Sequence, residues 1–312
     1  MNTLEVVRAG LMVSVQARPR NFYLAAGVSP SGPMDAAAFR IAQALVGNGD
    51  GVAALEFAQF GGSYRVTAPC MVAVTGGAAA MTINGRAMPL WESHALRPGE
   101  TLEIGPMRGA VWGYVAFSGG IAVPELLGSR ATHVRNAMGG FEGRVLADGD
   151  VLPLGDSEPG PPQRLTAIFH YPQGPIRIVA GPQDDRFDAH AWALLLTEPF
   201  SVSGRRDRMA SLLDGPFLRA AGGHDIISDA TPAGSIQVPG SGIATVLTAE
   251  RQTTGGYPKI ATVISADLPR FSQMPTGKPF HFVRIGQDEA EARLLAERER
   301  IETALRSIAT PG

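Results

Sequence analysis

Residues 234–268 read GSIQVPGSGIATVLTAERQTTGGYPKIATVISADL. Three short β-prone runs, at 235–238, 244–248 and 260–265, are cut apart by Pro239-Gly240-Ser241-Gly242 and by Gly255-Gly256. Runs this short between turn residues predict strands of a barrel or sandwich, not of a doubly wound parallel sheet. The same texture extends in both directions. Further strands are expected at 4–7, 12–16, 64–67, 71–75, 80–83, 101–104 and 111–117, then at 176–180, 200–203 and 280–285. The 38 glycines and 24 prolines fit such a chain. Only three helices are expected. The first, over 34–46, has Phe39, Ala42, Leu45 and Val46 on one face, Asp35 and Ser31 to serve its free N–H groups, and Gly47 as its stop. The others lie at 185–196 and at 288–308, the last highly charged with a narrow apolar stripe. The expectation is a mainly β protein in two domains, 1–160 and 161–312, joined through the Pro/Gly-rich stretch 154–175, inside which 165–169 is a further strand candidate.

Composition removes several classes of function. A 45% hydrophobic and 18% charged chain is globular, and a net charge of -2 offers no footprint for nucleic acid. No apolar run reaches the roughly 20 residues of a membrane span. The single cysteine, Cys70, excludes an internal disulfide and, with the absence of a secretory leader, points to the cytoplasm. Walker A, G-x-G-x-x-G and G-x-S-x-G motifs are missing, and the six histidines show no metal-ligand spacing. No metal is expected, and any ATP or biotin chemistry is expected on another chain.

The polar chemistry concentrates at 250–268. Thr253, Thr254, Gln252 and Lys259 flank Gly255 and Gly256, which allow positive φ and a close backbone approach to an anion. The equally ordinary reading is a polar β-turn. Only two of the 27 basic residues are lysines, Lys259 and Lys278, so a retained lysine suggests a need for a compact ammonium. Gln237 lies in the short strand just upstream. Arg208 could clamp a substrate carboxylate or pair with an acid. Asp35 reads as a helix cap or a polar lining group, and Asn48 as a left-handed residue after the helix or a site residue. Glu56 on an apolar strand calls for a partner or a function.

The segment 228–268, SDATPAGSIQVPGSGIATVLTAERQTTGGYPKIATVISADL, resembles the C-terminal hallmark of the allophanate hydrolase subunit 2 family, which includes the C-type subunit of 5-oxoprolinase and Kip-type antagonist proteins. SGPMD (31–35), ALVGN (44–48), ALEF (54–57), FSGGI (117–121), LGSRATHVRNAMGGFEGRVLADGD (127–150), VAGPQDDRF (179–187) and RDRM (206–209) agree, in order, over nearly the whole chain. The resemblance implies two cyclophilin-like β-barrel domains with a cleft between them. It also implies a subunit 1 or B-type carboxyltransferase-like partner, and often a LamB/YcsF-like A-type partner. By it, Lys259, Gln252, Thr253 and Thr254 are catalytic candidates, and Gln237, Gly255, Gly256, Arg208, Asp35, Asn48 and Glu56 bind substrate. This chain itself would bind no cofactor; partners would handle ATP and any biotin.

One segment departs from the family. VQARPRNF (15–22) stands where VQDxGRxG is usual, so Ala17 replaces an acid, and Pro19 and Phe22 replace glycines. Ala210 and Leu212 also differ from the usual Gly and Arg. The first reading is therefore a subunit of an ATP-dependent amide- or lactam-hydrolysing enzyme of the 5-oxoprolinase type, inactive without partners. The alternatives are an allophanate or urea carboxyltransferase-type subunit and a non-catalytic Kip-type regulator.

Overall fold

The computed structural model describes residues 2–167 and 169–310. The chain forms two compact units. The first takes the described residues of Met1–Asn21, Ser31–His170 and Ile301–Gly312; the second takes Phe22–Pro30 and Tyr171–Arg300.

Two sheets build the first unit. The larger runs, edge to edge, Val151–Pro153, Thr3–Ala9, Phe60–Val66, Thr101–Pro106, Met81–Ile83 and Arg86–Met88. The smaller runs Ser14–Gln16, Ala54–Ala58, Trp112–Phe117, Cys70–Thr75 and Ser93–Leu96. Three strands of the smaller sheet, ALEFA, CMVAVT and WGYVAF, are buried along their whole length. Helix α1 (Ala36–Leu45) packs against the last two of these. A strand covered on both faces has no solvent side to alternate toward, hence the continuous apolar runs. Asp35 caps α1, its side chain accepting the Ala38 N–H at 3.0 Å, and Gly47 follows the helix at φ 76°. Ser31 does not share the capping: it is buried at φ 56°, and its hydroxyl has no hydrogen-bond partner among the described residues. Within the Pro/Gly-rich stretch a two-residue strand, Arg164–Leu165, pairs antiparallel with Ile308–Ala309.

An eight-stranded sheet builds the second unit, in the order Pro279–Phe280, Phe200–Arg206, Ala210–Asp214, Thr245–Leu247, Ser235–Gln237, Lys259–Val263, Ile176–Ala180, Phe282–Arg284. Its two edge strands are separated in sequence by His281 alone, so the sheet curls nearly into a barrel. Phe280 and Phe282 meet at 5.1 Å there, and Phe200 and Phe271 pack on them at 5.5 and 6.0 Å. The run expected as one strand over 280–285 is thus two short strands, one at each edge. Four α-helices occur among the described residues, not three: α2 (Ala189–Thr197) lies against Phe282–Arg284, α3 (Leu268–Ser272) is the unexpected one, and α4 (Gln287–Arg306) is the charged C-terminal helix. Too short to show a helical period, α3 is held by Asp267. That buried carboxylate accepts the Arg177 backbone N–H at 2.8 Å, both arms of the Arg177 guanidinium and one of Arg270.

No helix among the described residues is long and apolar enough to cross a membrane.

Candidate functional site

The barrel strands Ser235–Gln237 and Lys259–Val263 pair antiparallel, and their register shifts between Ile236 and Gln237. A bulge of this kind re-aims the following side chain. It leaves Ile236 in the core and sets Gln237 opposite Lys259, where paired side chains share one face. A two-stranded ribbon completes the site. Asp229–Ala230 pairs with Thr254–Gly255, Asp229 opposite Gly255 and Ala230 opposite Thr254.

Lys259 is fully buried, and its Nζ lies 3.0 Å from Asp229 Oδ2. The contact is an ion pair and not an aligned hydrogen bond, for Nζ has no hydrogen-bond acceptor among the described residues. Gln183 ties the two residues together. Its Oε1 accepts the Lys259 backbone N–H at 3.2 Å and its Nε2 donates to Asp229 Oδ2 at 3.0 Å. Gly181 makes this approach possible, since a Cβ there would stand 2.2 Å from the Lys259 carbonyl oxygen. The Asp229 carboxyl is held below the usual carboxylate range by Lys259 first, then by Gln183 and the Ala230 N–H.

Gln252 Nε2 donates to Gln237 Oε1 at 3.1 Å. Gln237 Nε2 is buried with no acceptor among the described residues. Leaving such a donor unpaired costs about 1–3 kcal/mol, so this corner is a polar interior suited to receive an acceptor. Thr231 fixes the loop carrying Gln252: its hydroxyl donates to the Gln252 carbonyl, and its N–H to the Thr253 carbonyl at 3.2 Å. Arg251 is buried beneath, donating from Nε to the Thr231 carbonyl at 2.6 Å. Thr254 is exposed on the ribbon.

Gly255 acts by smallness, not by backbone hand. Neither Gly255 nor Gly256 has positive φ, against expectation. Gly255 lies in the ribbon, and a Cβ there would stand 2.5 Å from Gln237 Nε2, 3.1 Å from Thr231 Cγ2 and 3.3 Å from Gln252 Nε2. At Gly256 the nearest atom to such a Cβ is the Ile226 carbonyl oxygen at 3.5 Å, an ordinary contact.

The structure thus brings together Gln237, Gln252, Thr253, Thr254, Gly255, Gly256 and Lys259. Arg208 also lies in the second unit, and its buried guanidinium is engaged with Glu250, Nε to Oε1 at 2.6 Å, while Asp207 caps the Met209 and Ala210 N–H groups. Asp35, Asn48 and Glu56 belong to the first unit. Glu56 is fully buried and accepts the Met34 N–H at 2.7 Å and the Tyr114 hydroxyl at 2.9 Å; Asp35 donates its N–H to the same hydroxyl at 2.7 Å. Burial, followed by these two carboxylates, holds the Tyr114 hydroxyl well above its usual pKa. Asn48 is not left-handed. Its Nδ2 donates to Gln43 Oε1 and the Phe117 carbonyl, and its Oδ1 accepts the Gly119 N–H at 2.9 Å, which closes the turn after α1.

The departing loop has a specific shape. Ala17 is buried in the first core, and Arg20 is fully buried, donating to the carbonyls of Leu126 and Ala131. Phe22 keeps a backbone that suits glycine, at φ 73°, with its ring 97% exposed.

Asp229 and Gln183 were not singled out from the sequence. Both lie in segments that carry the family resemblance, SDATPAGS and VAGPQDDRF, but only the fold makes them neighbours of Lys259. Among the described residues no group of three or more His, Cys, Asp or Glu side chains is placed to hold a metal ion.

Comparison with known proteins gives these neighbours. Residues 26–284 match the family model of the carboxyltransferase domain, subdomain A and B. The chain is similar to the C-type subunit of 5-oxoprolinase from Escherichia coli, at 32% identity over 92% of this chain and 93% of that protein. It is similar to urea amidolyase of Saccharomyces cerevisiae at 30% identity over 93% of this chain but 17% of that protein. Among solved structures, the Kluyveromyces lactis urea amidolyase superposes with a TM-score of 0.88 at 28% identity, covering 96% of this chain and 20% of the larger one. TTHA0988 superposes with a TM-score of 0.82 at 35% identity, covering 91% of this chain and 55% of that one.

Proposed function

Because this chain belongs to the carboxyltransferase domain, subdomain A and B, family, we propose that it is one subunit of an ATP-dependent enzyme that opens a small lactam, of the 5-oxoprolinase type. The observation that carries this reading is the end-to-end match with the C-type subunit of 5-oxoprolinase, which spans more than nine-tenths of both chains. The match to urea amidolyase, by contrast, takes up only a fifth or less of that protein.

The group around Gln237, Gln252 and Lys259 is where this reading puts the amide. A lactam resists hydrolysis because its nitrogen lone pair is delocalised into the carbonyl. Breaking it requires charge to build on oxygen, and buried donors aimed at that oxygen are worth far more than in water; removing one such donor costs about 10²–10³-fold in rate. Gln237 Nε2 supplies an unused N–H, and the fully buried Lys259 a positive charge behind it. No side chain here is an activated nucleophile with its base. The contribution of this chain is therefore positioning and electrostatics, with ATP on a partner of the subunit 1 or B type and ring opening shared with an A-type partner.

The test is reconstitution. Co-expressed with its B-type and A-type partners, the chain is expected to support ATP-dependent conversion of 5-oxoproline to glutamate. Assembly without glutamate would overturn the reading. The full-length superposition on urea amidolyase favours the second reading, transfer of a carboxyl group to a urea-like acceptor, with biotin on a partner. Consumption of ATP and bicarbonate that depends on urea, and not on 5-oxoproline, would establish it instead.

A further inference from the structure

The residue of this site that faces outward is not the lysine. Lys259 is 0% exposed, whereas the Asp229 side chain on which it rests is 44% exposed. The two carboxylate oxygens divide their work. Oδ2 meets Lys259 Nζ and Gln183 Nε2, each at 3.0 Å, and Oδ1 accepts the Ala230 N–H at 2.8 Å. An ionised carboxylate offers about four acceptor positions. Hydrogen bonds take two, the ammonium lies against Oδ2 as well, and the remaining capacity lies on Oδ1, the oxygen turned away from the ammonium. The ribbon that carries Asp229 sets the exposed Thr254 and the glutamine pair beside it. The whole arrangement is a part-exposed anion, backed by a buried ammonium and set beside the Gln237–Gln252 amide pair.

We propose that Asp229 is a catalytic residue that accepts the N–H of the substrate amide, and that Lys259 and Gln183 act through it as positioning residues. The proposal rests on the amide-enzyme reading above and assigns a specificity to it: amides, lactams or ureas that carry at least one N–H. A carboxylate on the N–H draws no proton away, but it polarises the N–H bond and strengthens donation of the nitrogen lone pair into the carbonyl. The carbonyl oxygen becomes the better nucleophile, which serves activation of a lactam oxygen. An N-methylated substrate leaves the carboxylate without its donor. Discrimination by a missing hydrogen-bond partner is the strong kind, because a carboxylate covered by the bound substrate is then left unsatisfied.

The experiment compares the parents with counterparts that carry no N–H, 5-oxoproline with N-methyl-5-oxoproline and urea with tetramethylurea, on the complex reconstituted with its partner subunits. Turnover and inhibition constants are measured for wild type and Asp229→Ala, at matched subunit stoichiometry. The wild-type complex is expected to prefer the N–H form by at least about 10-fold, and Asp229→Ala to lower turnover of the parent while bringing that preference within about 3-fold. Asp229→Ala/Lys259→Met, which removes the stranded ammonium as well, is the second variant where the single one does not assemble, and the same collapse of preference is expected from it. Asp229→Asn, which keeps an acceptor oxygen without the charge, should retain part of the preference. A preference that survives intact in the Ala variants overturns the role of Asp229 and leaves the proposed function standing. Turnover of neither parent by the wild-type complex removes the proposed function and this proposal together.

Discussion

A lysine at position 259 performs a task that arginine does not. The Nζ occupies a fully buried slot between the barrel and the ribbon, with Asp229 as its counter-ion. A guanidinium is longer and planar, so it must shift its neighbours to fit, and overpacking of this kind costs about 1–3 kcal/mol. It would also spread its charge away from the single point that holds Asp229 Oδ2. Lys259→Arg is expected to lower the melting temperature and to cut turnover of the assembled complex by about 10-fold or more, roughly 1.4 kcal/mol in the barrier. Steady-state kinetics beside thermal melts check both, and wild-type kinetics in a correctly assembled complex would refute the assignment. The sequence marks Lys259 by its rarity and its Gly-Gly-Tyr-Pro prelude. It does not mark Asp229, because the pairing depends on a ribbon of two residues on each side. A strand of two residues has no period to read.

At the scale of elements, the most consequential joint is Asp267. It fastens the start of α3 to the Ile176–Ala180 strand through Arg177 and Arg270. Burial alone would raise this carboxyl, but the Arg177 side-chain and backbone hydrogen bonds, followed by the charges of Arg270 and Arg177, outweigh it, and the group titrates below its ordinary value. The sign follows from that direction. A depressed folded pKa gives stability that is complete above the unfolded value of about 3.9 and is lost as pH falls through the folded one. Asp267→Asn is therefore expected to destabilise the chain by about 3 kcal/mol at neutral pH, as for breaking a buried pair, and to flatten the acid limb of the stability curve. Urea unfolding at pH 7 and between about pH 2 and 4 measures both. An unchanged acid limb would show that Asp267 is not the group responsible. Elements of this kind divide into legible and illegible ones for physical reasons. The Ile176–Ala180 strand is readable because the β-prone Ile176, Ile178 and Val179 stand between turn signals. The 280–285 run reads as one strand and is two, because only barrel closure decides that Phe280 and Phe282 serve opposite edges.

For the molecule as a whole, membership of the family and the mainly β architecture are legible, since ordered motifs over most of a chain leave little room for another fold. The corner that holds Gln237 Nε2 without an acceptor among the described residues is not, for an unsatisfied donor exists only in three dimensions. A chain that contributes charge and position but no activated nucleophile is expected to turn over no amide or lactam by itself. Glutamate release from 5-oxoproline by the purified chain, persisting through successive purification steps, would refute this, and release only on addition of the partner subunits would support it. The scarcity of lysine has one more consequence. Of the two lysine side chains in the sequence, Lys278 is exposed and Lys259 is not. A water-soluble acylating reagent should thus modify Lys278 at once, and Lys259 only as often as the ribbon lifts from the barrel. Peptide mass mapping of the slow modification would time that opening without a substrate or an engineered probe, and any ligand lodged beneath Asp229 should slow the clock.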